Sequence, residues 1–184
     1  MALVEIKAED YSVELDIVYA TNNNVTGEPI YKNPLCFLHK DAAVCLKKAI
    51  SHAEKIGYRI KIFDAFRPLE AQRFLWDKFP DPEFISNPDS GVVPHCRGIA
   101  VDMTLVDENC EELDMGTDFD AFTHLSHHGN IEISESAQKN RHMLMGLMAI
   151  SGWDYNPNEW WHYQLPFYNK YEKFSEKDLK TNII

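Results

Sequence analysis

Pro94-His95-Cys96-Arg97-Gly98-Ile99-Ala100-Val101-Asp102 is the densest run of reactive side chains in this sequence. A loop His, a glycine that permits a tight turn and a carboxylate one short strand segment later can meet at one point, because the loop can fold its His back over the strand face. His95 and Asp102 would then be two ligands of a metal. His162, in Asn158-Glu159-Trp160-Trp161-His162, is available as the third. Two His and one carboxylate leave a fourth zinc position open for water. Glu159, three residues before His162, is the natural base for that water. Positions three apart in a regular strand face opposite sides. Glu159 therefore joins the site only if the Asn156-Pro157-Asn158 turn leaves it on its exit or in a bulge.

Each residue also has a plainer reading. A single His is more often a surface or hydrogen-bonded core residue than a ligand, and the chain has eight. Asp102 is the most telling, since a carboxylate midway along an apolar strand needs a charge partner or a metal if it is buried. Trp160 and Trp161 read as packing residues. Cys96 beside His95 is a poor nucleophilic pair, because adjacent side chains on extended backbone diverge.

The elements that must position these residues follow from periodicity. Val13, Leu15, Ile17 and Tyr19 alternate as a strand ended by Asn22-Asn23-Asn24. Asp41 is the expected N-cap of a helix through Ile56, with Leu46, Ile50 and Ala53 as its apolar face and Gly57 as its stop. A strand from Tyr58 to Asp64 follows, and Pro68 suits the first turn of a second helix. Ile99, Val101, Met103 and Leu105 alternate with Ala100, Asp102 and Thr104, so Asp102 points away from the apolar face. A third helix is expected from about Ser134 to Ser151, and a strand from Trp160 to Leu165. The mixture predicts an α+β fold with a central, mainly antiparallel sheet flanked by helices.

The chain has 184 residues and a formal net charge of −11. That length carries a core without disulfide or metal staples, and no linker or repeat divides it, so one domain over residues 1–184 is expected. The negative balance and the lack of a basic run argue against nucleic acid and anionic membrane surfaces as partners. The longest apolar run, Met143 to Ile150, is eight residues, against the roughly 20 that span a bilayer. Glu5 interrupts the N-terminal apolar residues, so no secretory h-region forms. The chain reads as cytoplasmic, or periplasmic if a signal has been removed. Cys36, Cys45, Cys96 and Cys110 are scattered without C-x-x-C spacing and read as reduced thiols.

His95-x6-Asp102 with Gly98 and Ala100 between, followed by Glu159-x-x-His162, resembles the zinc peptidases that include D-alanyl-D-alanine carboxypeptidases, lysostaphin-type enzymes and the hedgehog signalling domain. Within that group the sequence is most similar to the D-alanyl-D-alanine dipeptidases of the VanX type. The similarity rests on Val18-Tyr19-Ala20-Thr21 with Thr26-Gly27, Asp64-Ala65-Phe66-Arg67-Pro68, Asp102-Met103-Thr104-Leu105, Met115-Gly116-Thr117-Asp118-Phe119-Asp120, Ser126-His127-His128 and Glu159-Trp160-Trp161-His162. These span nearly the whole chain in the family's order. The pattern departs at Val93 and Pro94, where the family has a Ser two residues before the first His, and at Cys96, where a Ser commonly follows it.

The resemblance implies one zinc per chain on His95, Asp102 and His162, with Glu159 as general base and acid. It implies Arg67 at the developing oxyanion, Asp120 on the substrate ammonium, and a small D-configured dipeptide as substrate. A permanently charged guanidinium suits an oxyanion, and an acceptor-only carboxylate suits an ammonium. Two related readings stay open: a carboxypeptidase or peptidoglycan endopeptidase, and a metal-binding module without catalysis. A non-haem iron oxygenase also uses two His and a carboxylate, but with His-x-Asp spacing, which six intervening residues fit badly.

Overall fold

The alternation of Ile99, Val101, Met103 and Leu105 is realised as a strand, Ala100–Val106, at the centre of a five-stranded sheet. The computed structural model describes residues 2–178 and 182–184. In chain order the strands are β1 (Leu3–Glu5), β2 (Glu14–Leu15), β3 (Phe37–His39), β4 (Arg59–Asp64), β5 (Ala100–Val106), β6 (Asp154–Asn156) and β7 (Glu159–Gln164). The helices are α1 (Ala8–Tyr11), α2 (Lys40–Lys55), α3 (Leu69–Lys78) and α4 (Glu135–Ile150). The main sheet runs β2-β4-β5-β7-β6, and β1 pairs with β3 apart from it. Among the described residues, only β2 and β4 pair in parallel; every other strand pair is antiparallel. This is the α+β arrangement with a mainly antiparallel sheet that the sequence predicts. No helix among the described residues is long and apolar enough to cross a membrane.

One face of the sheet holds the core. Ile60 and Ile62 on β4 stand opposite Leu105 and Met103 on β5, and all four are buried. Burying each such side chain contributes roughly 1.5–3 kcal/mol. The helices bring Leu46, Ile50 and Ala53 from α2, and Leu144, Leu147 and Met148 from α4. Ser134 caps α4 by accepting from Ala137 N at 3.0 Å. Asp102 projects from the opposite face of β5, where the site is built.

Two local expectations are corrected. The N-cap of α2 is His39, whose Nδ1 accepts from Asp41 N at 3.2 Å, so Asp41 lies in the first turn. Its carboxylate still favours the helix N-terminus from there. The strand expected over Val13–Tyr19 pairs only at Glu14 and Leu15, then turns as a 3-10 segment at Val18–Ala20. Alternation overstated this strand because Tyr19 is buried for another purpose: its hydroxyl reaches Asp120.

Candidate metal centre and active site

Strand pairing fixes two of the three expected metal ligands. Asp102 and His162 are directly opposed on β5 and β7, so their side chains share a face. Asp102 Oδ1 lies 3.0 Å from His162 Nδ1. His95 comes from a 3-10 turn, His95–Arg97, closed by Gly98 at φ +66°. A Cβ at Gly98 would stand 2.9 Å from His39 N and 2.5 Å from Leu3 Cδ2, so the chain needs glycine here. His95 Nε2 is then 3.3 Å from Asp102 Oδ2 and 3.1 Å from His162 Nδ1.

These distances test whether a metal fits. Four ligands at about 2.0 Å in a tetrahedron stand about 3.3 Å apart; the two imidazole nitrogens are 3.1 Å apart, each lies 3.0–3.3 Å from a different oxygen of Asp102, and one ligand atom from each of the three residues falls within 4.8 Å of the others. The outer imidazole nitrogens agree. His95 Nδ1 donates to Ala65 O at 2.6 Å, and His162 Nε2 donates to Gln164 Oε1 at 3.1 Å. Each acceptor claims the proton on its side, leaving the opposite nitrogen as a lone pair facing the centre. Burial opposes ionisation of Asp102, but the two histidines outweigh it and hold its carboxyl well below the usual range.

Glu159 reaches the same cavity through an irregular register. Tyr155 pairs with Tyr163, yet the next residue, Asn156, pairs with Glu159. Trp160, Trp161 and His162 therefore have no partner on β6, and this bulge resolves the spacing objection. Glu159 Oε2 lies 3.8 Å from His162 Nδ1 and accepts from Asn156 Nδ2 at 2.7 Å. Burial lifts its carboxyl to about 8; His162 opposes the shift and Asp102 adds to it. Such a group holds and releases a proton near neutral pH.

Arg67 is buried, not part of a surface ion pair. The β4–β5 register slips between Ile62 and Asp64, so Asp64 rather than Phe63 stands opposite Asp102. Asp64, Asp102 and His162 thus form a row across three strands. Asp64 Oδ2 accepts from Arg67 Nε at 3.0 Å and Nη2 at 2.8 Å, and Tyr31 donates to its Oδ1 at 2.9 Å. Arg67 Nη1 donates to Gln72 Oε1 at 3.1 Å, and Gln72 Nε2 donates to Ser86 O at 2.7 Å. Three of the five guanidinium N–H donors are thereby engaged. The free side faces inward, with Nη2 3.7 Å from Asp102 Oδ2.

Asp120 lies across the cavity on a loop, at φ +59°. Trp160 Nε1 donates to Thr117 Oγ1 at 2.8 Å, and Ser126 Oγ donates to Ala121 O, which tie this loop to β7 and to the following turn. Arg141 on α4 donates to Met115 O at 2.7 Å and His127 O at 3.0 Å, stapling the loop's two ends. Asp120 Oδ1 accepts from Tyr19 at 3.1 Å, while Oδ2 is buried without a partner. Burial, with the charge of Asp102, pushes its carboxyl up to about 7. Cys96 takes no part: burial pushes its thiol up to about 12, which leaves no thiolate at neutral pH.

All six residues of the expected site, the metal trio with Glu159, Arg67 and Asp120, line one cavity of about 300 Å³. This is the small end of the range for ligand sites. Asp102, Asp120 and Glu159 line the cavity beside a single guanidinium, and Asp64, outside the lining, pairs with that guanidinium. The residues that brace the site were not singled out from sequence. Asp64 carried a signal, an acid three residues before Arg67, and Gln164 stands two residues after His162 on the same strand face. Gln72 and the Tyr19–Asp120 contact carried none.

Comparisons with known proteins give the family. The peptidase family model described as D-ala-D-ala dipeptidase matches residues 2–178. The D-alanyl-D-alanine dipeptidase of Escherichia coli (strain K12) is 40% identical over 164 residues, covering 89% of this chain and 84% of the relative. That of Enterococcus faecalis (strain ATCC 700802 / V583) is 32% identical over 188 residues, covering 90% and 93%. Among solved structures, the L-Ala D-Glu endopeptidase ChiX of Serratia marcescens aligns with a TM-score of 0.46 at 11% identity, covering 72% of this chain and 84% of that one. So loose a structural likeness carries no weight. The family match runs almost end to end and the sequence relatives share it along most of their length: the chain belongs to the D-alanyl-D-alanine dipeptidase family of peptidases.

Proposed function

We propose that the chain is a single-domain zinc dipeptidase that hydrolyses D-Ala-D-Ala, or a similar small D-configured dipeptide, to free amino acids. The observation that carries this reading is the buried trio of His95, Asp102 and His162, with one ligand atom from each within 4.8 Å of the others and both outer imidazole nitrogens already committed. These three residues would hold one zinc, which when bound supplies a Lewis acid and makes water nucleophilic near neutral pH. Asp120 and Tyr19 receive the substrate ammonium and so set the scissile carbonyl at the metal residues. Glu159 takes the proton of the attacking water and returns it to the leaving amine. The two free N–H groups of Arg67 stabilise the charge that develops on the carbonyl oxygen, and Asp64 with Gln72 keep the guanidinium in place. The proposal includes a cytoplasmic setting, which suits four free thiols.

The test combines metal content with substrate choice. The purified protein should carry about one zinc per chain, cut D-Ala-D-Ala in strong preference to L-Ala-L-Ala, and lose activity on chelation without unfolding. Full zinc occupancy in a His95→Ala, His162→Ala double variant would remove these residues from the metal site.

A further inference from the structure

Asp120 lies on a segment that the sheet does not hold directly. Phe119 and Asp120 form a turn, and among the described residues no backbone group from Thr117 to Phe122 bonds to a strand or a helix. Asp120 is kept there against two costs. Its φ of +59° is uncommon for a residue with a side chain, and its Oδ2 is buried without a partner.

Three side chains supply the tether, and each of their protons has one destination. Ser126 is buried. Its Oγ lies within hydrogen-bond distance of Ala121 O and 3.0 Å from Thr117 Oγ1. A carbonyl oxygen only accepts, so the Ser126 proton goes to Ala121 and the Ser126 oxygen accepts from the Thr117 hydroxyl. Thr117 Oγ1 in turn accepts from Trp160 Nε1 at 2.8 Å. The relay therefore runs in one direction, from Trp160 to Thr117 to Ser126 to Ala121. It starts on β7, the strand that carries Glu159 and His162, and ends on the residue after Asp120. Ser126 also clamps Thr117 to Ala121, with Asp120 between them.

We infer that Thr117 and Ser126 are positioning residues that keep the Asp120 carboxylate in the cavity, and so set how strongly the enzyme prefers a substrate with a free ammonium. This rests on the dipeptidase reading, in which Asp120 meets that ammonium. Neither Thr117 nor Ser126 lines the cavity, so both act through Asp120. Without the relay the carboxylate is free to turn toward water, and the free dipeptide loses a partner that an N-acylated one never had.

The experiment measures kcat and KM for D-Ala-D-Ala and N-acetyl-D-Ala-D-Ala on the zinc-loaded full chain and on three variants. Thr117→Val keeps the shape of the side chain without its hydroxyl, Thr117→Ser keeps the hydroxyl, and Ser126→Ala removes the clamp. A hydrogen bond of this kind is worth about tenfold. Thr117→Val and Ser126→Ala should therefore each raise KM for the free dipeptide by about that factor, with kcat and the rate on the acetylated substrate little changed. Thr117→Ser should keep the parent's preference. Equal losses on both substrates in Thr117→Val and Ser126→Ala would make the relay a purely structural contact and overturn the inference. An unchanged preference in those two variants, or a lost one in Thr117→Ser, would overturn it as well. Equal cleavage of the two substrates by the parent is instead the failure of the dipeptidase reading, which takes this inference with it.

Discussion

His95, Asp102 and His162 stand on paired strands and a glycine-closed turn, and each outer nitrogen of the two imidazoles has an acceptor. Asp120, in the same cavity, stands on a loop in a left-handed conformation, with one carboxylate oxygen buried and unpaired. One end of the site is therefore finished before any ligand arrives, and the other is completed only by a ligand. In the proposed reaction the finished end places reacting atoms, and preorganised groups do so without rearranging during reaction. The unfinished end would tell one substrate from another. A buried carboxylate left unpaired without an ammonium penalises every molecule that lacks one.

The comparison breaks first at Glu159. Glu159→Gln removes the proton acceptor but no metal ligand, so kcat should fall by about 10²–10⁴-fold while zinc content stays the same. Loss of zinc in this variant would move Glu159 into the ligand set. Near-normal turnover would reject it as the base.

Acylation tests the unfinished end. N-acetyl-D-Ala-D-Ala has no ammonium, and leaving Asp120 unpaired costs roughly 3–5 kcal/mol, or a few hundred- to several thousand-fold in kcat/KM. Asp120→Ala should narrow that gap by damaging the free dipeptide selectively. Equal cleavage of free and acetylated substrate by the unmodified enzyme would favour a carboxypeptidase or endopeptidase.

The two ends also differ in how far sequence reveals them. Strand alternation put Asp102 on the face away from Ile99, Val101, Met103 and Leu105, because a period of two is a backbone property. It could not show that Asp102 lies opposite His162, since register depends on the partner strand. The slip at Phe63 that sets Asp64 beside Asp102, and the long bulge that admits Glu159, are likewise products of pairing. Asp120 was reached only through family resemblance. Its loop has no period, and its position depends on distant contacts from Trp160 and Arg141.

A smaller effect sharpens the finished end. Gln164→Ala removes the acceptor that orients His162, and loss of such a partner costs about 10- to 100-fold in metal affinity. Competition against a chelator reads this directly, and Gln164→Glu, which keeps an acceptor, should retain tight binding. Unchanged affinity in the Ala variant would mean that strand geometry alone orients the imidazole.

An effect outside catalysis concerns stability, and its sign follows from Asp120 being lifted to about 7. The same carboxyl titrates at about 3.9 in an unfolded chain. Between those values the folded protein holds a proton that the unfolded chain has released, so this group makes stability fall as pH rises from about 4 to about 7. Asp120→Asn removes that contribution and also eases the one from Glu159, whose carboxyl the charge of Asp120 helps to raise. In zinc-stripped protein the Asn variant should therefore melt roughly 10 °C above the parent at pH 8, since lifting the carboxyl from about 3.9 to about 7 is worth roughly 4 kcal/mol and each kcal/mol moves Tm by roughly 2–4 °C at this size. The difference should shrink toward zero near pH 4, where the parent carboxyl is also neutral. A constant difference across that range would mean that the Tyr19 hydrogen bond or backbone strain, rather than buried charge, sets the cost of Asp120. A difference that disappears with acid would mean that the residue proposed to select the substrate weakens the fold whenever the ammonium is absent.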